Sequence, residues 1–173
     1  MSKFSLGIIL LFSMQSPLHA SNSIKDPVAY YQSNFEIRPN EKILLIQADT
    51  NNDGKEEIFL TTSRSLNGKA GFMWNVFVQK GQGYEQLQEI ISFRGDAYTV
   101  GKLEGMKHQG LIAYLPGGGG EGTLIYIEMT SGKVLEKVLK KIKPEGKDRA
   151  LYKKLFKTPL PEKYQIKTIS ITK

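Results

Sequence analysis

The chain has no cysteine in 173 residues and only two histidines, His19 and His108. Without cysteine there is no disulfide, no thiol nucleophile and no lipid attachment through an N-terminal thiol. The two scarcities together leave few of the thiolate and imidazole ligands that zinc and the softer metals favour. A Gly-x-Ser-x-Gly elbow is absent, and no Gly-Lys-Ser/Thr phosphate loop occurs. After the first dozen residues no apolar run approaches the roughly 20 residues that cross a bilayer. No transmembrane segment is therefore expected in the mature chain, and no motif points to nucleic acid.

What is present begins with Lys3, an apolar stretch from Phe4 to Phe12, and then Ser16-Pro17-Leu18-His19-Ala20. That order of charge, apolar core and small-residue exit predicts a signal peptide over residues 1–20 and a periplasmic or secreted protein. The remaining length suits one domain with its own core. The chain counts 24 Lys+Arg against 17 Asp+Glu, so removing Lys3 with the leader leaves a net +6. With no disulfides, such a fold must be held by its core, by a metal ion, or by both.

The predicted architecture is mainly β: two degenerate four-stranded antiparallel units with short N- and C-terminal helices. Residues 21–42 form an N-terminal segment, in which 21–25 read as a polar, mobile lead-in and Asp26-Pro27 caps and opens a short helix. Residues 43–173 form the β-rich domain. Strand formers at Ile43–Ile46, Glu57–Thr62, Phe72–Val78 and Tyr84–Ile91 make the first unit, about 43–91. Tyr98–Leu103, Gly110–Leu115, Thr123–Met129 and Val134–Ile142, with a Ser131-Gly132 turn, repeat that order over about 98–142. Glu57-Ile58-Phe59-Leu60 then falls on Gly110-Leu111-Ile112-Ala113. Leu151, Tyr152, Leu155 and Phe156 have helical spacing before Thr158-Pro159. The alternation from Tyr164 to Ile171 predicts a final strand, placed to close the open edge of the first unit.

One segment carries specific chemistry: Asp49-Thr50-Asn51-Asn52-Asp53-Gly54-Lys55-Glu56-Glu57. Oxygen-bearing side chains alternate at Asp49, Asn51 and Asp53, Gly54 permits a sharp turn, and Glu57 returns a carboxylate to the same point. Hard oxygen ligands in this number suit Ca²⁺, with a main-chain carbonyl near Lys55 as a fifth ligand. The bland alternative is a polar turn satisfied by its own Asx bonds. The first six positions match an EF-hand loop, but Leu60 stands where that loop needs its bidentate Glu, and strands rather than helices flank it. The segment resembles instead the D-x-N-x-D-G-x-x-E signature of FG-GAP and VCBS-type repeats, and Gly81-Gln82-Gly83-Tyr84 is similar to their Gly-aromatic turn. The resemblance implies a Ca²⁺ loop joining two strands of a propeller-like blade. In the second unit the matching loop, Glu104–Gln109, lacks the ligands.

Other features are read more plainly. Gly117–Gly120 precedes a strand and so reads as a hairpin loop rather than an anion cradle. Arg94-Gly95-Asp96 is an adhesion tripeptide by composition alone. Residues 133–157 concentrate lysine and could face an anionic surface or an acidic partner, or simply be solvated. The sequence thus favours an exported, calcium-stabilised, non-enzymatic binding or structural module of the cell envelope, with no catalytic residue assigned. A small secreted hydrolase or enzyme inhibitor remains the alternative, with Glu121 and Glu128 as its candidate carboxylates.

Overall fold

The computed structural model describes residues 23–65, 71–130 and 133–171, so the expected leader and the Ser131-Gly132 turn lie outside the described residues. Helix α1 (Pro27–Asn34) starts where the sequence says it should. The Asp26 carboxylate accepts the amides of Val28 and Ala29 at 2.9 and 3.1 Å, and Pro27 supplies a preset φ. Strands β1 (Lys42–Ala48), β2 (Glu57–Thr62), β3 (Phe72–Lys80) and β4 (Gly83–Phe93) form an antiparallel meander. Strands β5 (Tyr98–Gly101), β6 (Gly110–Pro116), β7 (Gly122–Thr130) and β8 (Lys133–Ile142) form a second. Helix α2 (Arg149–Phe156), a 3-10 turn at Glu162–Tyr164 and strand β9 (Lys167–Ser170) follow. Strand β9 pairs with β1, which gives the sheet orders β4-β3-β2-β1-β9 and β5-β6-β7-β8.

The sheets pack face to face because their strands are apolar in both parities. Ile46, Phe59, Trp74, Val76 and Phe93 of the first sheet meet Leu111, Ala113, Ile125, Ile127 and Met129 of the second. The alternate residues Ile43, Leu45, Ile58, Leu60 and Phe77 turn outward and are covered by Tyr31 of α1. On the far side Ile112, Tyr114, Leu124 and Tyr126 are covered by Phe156 and Tyr152 of α2. The result is four layers, helix on sheet on sheet on helix, and every residue of β2 is buried. Trp74 is fully buried, stacked on Phe93 with centroids 4.9 Å apart, and its Nε1 donates to the Phe93 carbonyl at 3.3 Å.

The two meanders share details beyond strand order. In the first, Ala48 faces Glu57 across residues 49–56; in the second, Gly101 faces Gly110 across 102–109, a loop of the same length. Each third strand breaks register against its fourth, between Asn75 and Phe77 and between Leu124 and Ile125. The β6–β7 hairpin adds reciprocal cover of glycine by tyrosine. The Tyr126 ring lies over Gly110, where a Cβ would come within 2.6 Å of it, and the Tyr114 ring lies over Gly122.

Two expectations need correction. The lead-in expected over 21–25 is tied down at Ile24, which exchanges both backbone hydrogen bonds with Tyr84 at 2.9 and 2.8 Å and extends the first sheet at its β4 edge. The final strand begins at Lys167, not Tyr164. Tyr164 sits in the 3-10 turn after Pro161, and its carbonyl is taken by the Tyr98 hydroxyl, so its backbone is committed to a cross-sheet contact before the ladder starts.

Candidate metal centre

The loop between β1 and β2 folds on its own oxygen-bearing side chains. Asp49 Oδ1 and Asn51 Oδ1 both accept the Asp53 amide, at 3.1 and 2.9 Å, so two of the expected ligands converge on one atom. Asp49 Oδ2 accepts the Gly54 amide at 2.9 Å, and Asp53 Oδ1 accepts the Lys55 amide at 2.9 Å. These are the Asx bonds that short acidic side chains make wherever a turn leaves amides free. Asn52 and Gly54 both take positive φ, 62° and 84°, which asparagine tolerates and glycine adopts without strain.

Glu57 is the first residue of β2, and strand alternation puts it on the same face as Phe59, toward the second sheet. It is 3 % exposed. One carboxylate oxygen accepts the Thr50 amide at 2.8 Å and the Thr50 hydroxyl; the other accepts Asn51 Nδ2 at 3.1 Å. No cationic group pairs with it among the described residues. Burial pushes its carboxyl up to about 7; the Thr50 hydrogen bonds oppose the shift, and the charges of Asp53 and Asp49 add to it. A buried carboxylate held by neutral donors in the field of two further carboxylates is electrostatically short of a cation.

The loop also reaches the other sheet. Asn51 Nδ2 donates to the Met129 carbonyl at 2.9 Å, and Gln109 Nε2 of the matching loop donates to the Thr50 carbonyl at 3.4 Å. A cleft of about 460 Å³ opens beside it, lined by Asn51, Asp53, Glu57, Lys80, Glu85 and Met129 among others. Lys80 and Glu85 close a 2.6 Å ion pair on its rim. The cleft gives solvent, and any small cation, a path to Asp53 and Glu57.

Among the described residues no three carboxylate or histidine side chains converge closely enough to hold an ion unaided. The set that suits one is therefore mixed: the carboxylates of Asp49 and Asp53, the Asn51 amide oxygen, a carbonyl near Lys55, and Glu57. All are hard oxygens, as Ca²⁺ requires. Glu57 is already committed to Thr50, so an ion would compete with the threonine hydroxyl for it. Thr50, buried beside Glu57, escapes a reading by ligand spacing because it occupies a spacer position. Met129 and Gln109 carry no sequence signal at all, being 78 and 59 residues from their partners.

The remaining candidates do not assemble a second site. Glu121 precedes β7 and pairs with Lys143 at 2.8 Å, while Glu128 lies near the other end of that strand beside His108 at 3.9 Å. Seven residues of extended chain separate the two carboxylates by on the order of 23 Å, too far for paired acid–base work. Arg94 and Asp96 bind each other through two 2.7 Å hydrogen bonds, so the tripeptide closes on itself. The Gly-rich run forms the β6–β7 hairpin loop, with the Gly117 amide bonded to the Glu121 carbonyl at 2.7 Å. No helix among the described residues is long and apolar enough to cross a membrane. No family model, curated protein or solved structure matches the chain.

Proposed function

We propose that this is an exported, calcium-stapled β-sandwich of the cell envelope that acts by binding rather than by chemistry. The observation that carries the reading is Glu57, a buried carboxylate without a cationic partner among the described residues, beside a loop whose Asp49, Asn51 and Asp53 present only hard oxygens. A bound Ca²⁺ would relieve the mutual repulsion of the three carboxylates and join the β1–β2 loop to Glu57. Through Asn51 and Met129 that restraint extends to the second sheet. Export rests on the leader-like sequence of residues 1–20. The Lys-rich stretch 133–157 is the surface offered to an anionic partner.

The test is thermal unfolding of the mature chain in chelator and in millimolar Ca²⁺. An ion bound at 10⁻⁴ to 10⁻³ M, usual for extracellular modules, stabilises by about 0.4–1.4 kcal/mol at 1 mM. That raises Tm by roughly 1–5 °C for a chain of this size. Asp53→Ala should abolish the rise and Glu121→Ala should retain it. Identical melting curves with and without chelator would leave the loop an ordinary Asx turn.

A further inference from the structure

We propose that β8, its flanking turn and α2 form a docking face for an anionic lipid bilayer, naming the partner of the binding module inferred above. Counted from Ser21, 10 of 23 Lys+Arg but only 3 of 17 Asp+Glu fall in residues 133–157. That segment carries +7, and the rest of the mature chain, 13 against 14, carries −1. The basic charge is therefore concentrated in one segment of the chain rather than spread over the protein.

The fold puts that segment at one edge and over the outer face of the second sheet. Strand β8 is the edge of the second sheet; α2 starts beside it, where Asp148 meets Lys140, and crosses the outer face of the same sheet to β5. Lys140 and Lys143 are partly neutralised, by Asp148 at 3.4 Å and Glu121 at 2.8 Å. Lys137, Lys147, Lys153 and Lys154 are exposed and have no ion-pair partner among the described residues.

Two exposed aliphatic side chains decide between a lipid surface and other anions. Leu135 and Val138 are 52 % and 64 % exposed on the same strand as Lys133, Lys137, Lys140 and Lys141. Leu135 lies opposite Glu128 and Val138 opposite Ile125, so they occupy the two faces of the edge and both meet a plane approaching edge-on. Aliphatic side chains interleaved with lysine suit the headgroup boundary, where the chains bury and the ammonium groups reach phosphates. A soluble polyanion makes no use of them. A second copy of this chain offers little opposing charge, since the remainder is only −1. The unpaired ladder groups of an edge strand keep the contact at headgroup depth, where water remains available to them.

The experiment is co-sedimentation of the mature chain with phosphatidylcholine vesicles, with and without phosphatidylglycerol, in chelator throughout. Failure of the calcium reading therefore leaves it untouched. The expected result is binding only to the phosphatidylglycerol vesicles, weakening as salt rises. Each lysine near an anionic surface contributes about fivefold, so combining Lys137→Gln, Lys147→Gln, Lys153→Gln and Lys154→Gln should weaken binding at least about 100-fold. Leu135→Ser with Val138→Ser should weaken it about tenfold at unchanged charge. All six positions are exposed or half-exposed surface, and unfolding curves would verify that the variants fold. Absence of binding to anionic vesicles overturns the proposal. So does equal capture by dextran sulfate with no effect of the aliphatic pair, which would assign the face to soluble polyanions.

Discussion

Replacing Glu57 with glutamine isolates the charge on which the loop's electrostatics turn. In the folded chain, without a bound ion, its carboxyl titrates near 7, against the ordinary 4.5 of an exposed glutamate. Between those values the folded state keeps a proton that the unfolded state releases, so stability falls as pH rises through this window and levels off above about 7. The gap of about 2.5 pH units corresponds to roughly 3 kcal/mol at 1.36 kcal/mol per unit. Glutamine does not titrate and loses this slope. Its amide NH2 must also face one of the donors that the carboxylate accepted, from Thr50 or Asn51, a loss of about 1–2 kcal/mol. In chelator at pH 8, Glu57→Gln should thus be more stable than the wild-type chain by about 1–2 kcal/mol, although it alters a buried, hydrogen-bonded residue. Urea denaturation at pH 5 and pH 8 reads both effects. Millimolar Ca²⁺ should flatten the wild-type slope, since a cation favours the ionised carboxylate. Equal slopes for the two proteins in chelator would refute the reasoning, because Glu57 would then carry its charge without penalty.

Other substitutions probe the packing that holds the loop in place. Asn51→Ala leaves the Met129 carbonyl and one Glu57 oxygen without their 2.9 and 3.1 Å partner, and should cost about 1–3 kcal/mol in denaturant unfolding. Gly110→Ala drives a methyl group against the Tyr126 ring and the Ile127 carbonyl and should cost about 1–3 kcal/mol, whereas Gly118→Ala, with open space around it, should be nearly neutral by the same measurement. Phe93→Ala removes the ring stacked on Trp74 and should cost about 3–5 kcal/mol, with a shift in tryptophan fluorescence.

Much of the fold was legible because its strands and caps are locally encoded. Asp26-Pro27 announces α1, and the β-branched and aromatic runs mark β2, β3, β6 and β7. The repeat was legible for the same reason: Glu57–Leu60 and Gly110–Ala113 open the second strand of each meander after loops of equal length. The face-to-face packing was less direct, since strands apolar in both parities, such as Ile43–Ile46, bury both faces without saying which meets the other sheet. Tyr164 misled because its alternation fits a strand, while Pro161 and the Tyr98 hydroxyl fix it in a turn. In the candidate site, the spacing of oxygen-bearing side chains singled out Asp49, Asn51, Asp53 and Glu57 as candidates, and the structure brings them into one loop and the strand end beside it. What made Glu57 unusual, burial against the second sheet and the Asn51 bridge to Met129, depends on contacts across the whole domain that no local pattern carries.

Isothermal titration of the chelator-treated chain with Ca²⁺ tests the proposed calcium staple most directly. One site per chain, with a dissociation constant of about 10⁻⁴ to 10⁻³ M and lost in both Asp49→Asn and Asp53→Asn, is the expected result. No binding heat in the wild-type chain, or heat undiminished in both variants, would contradict it.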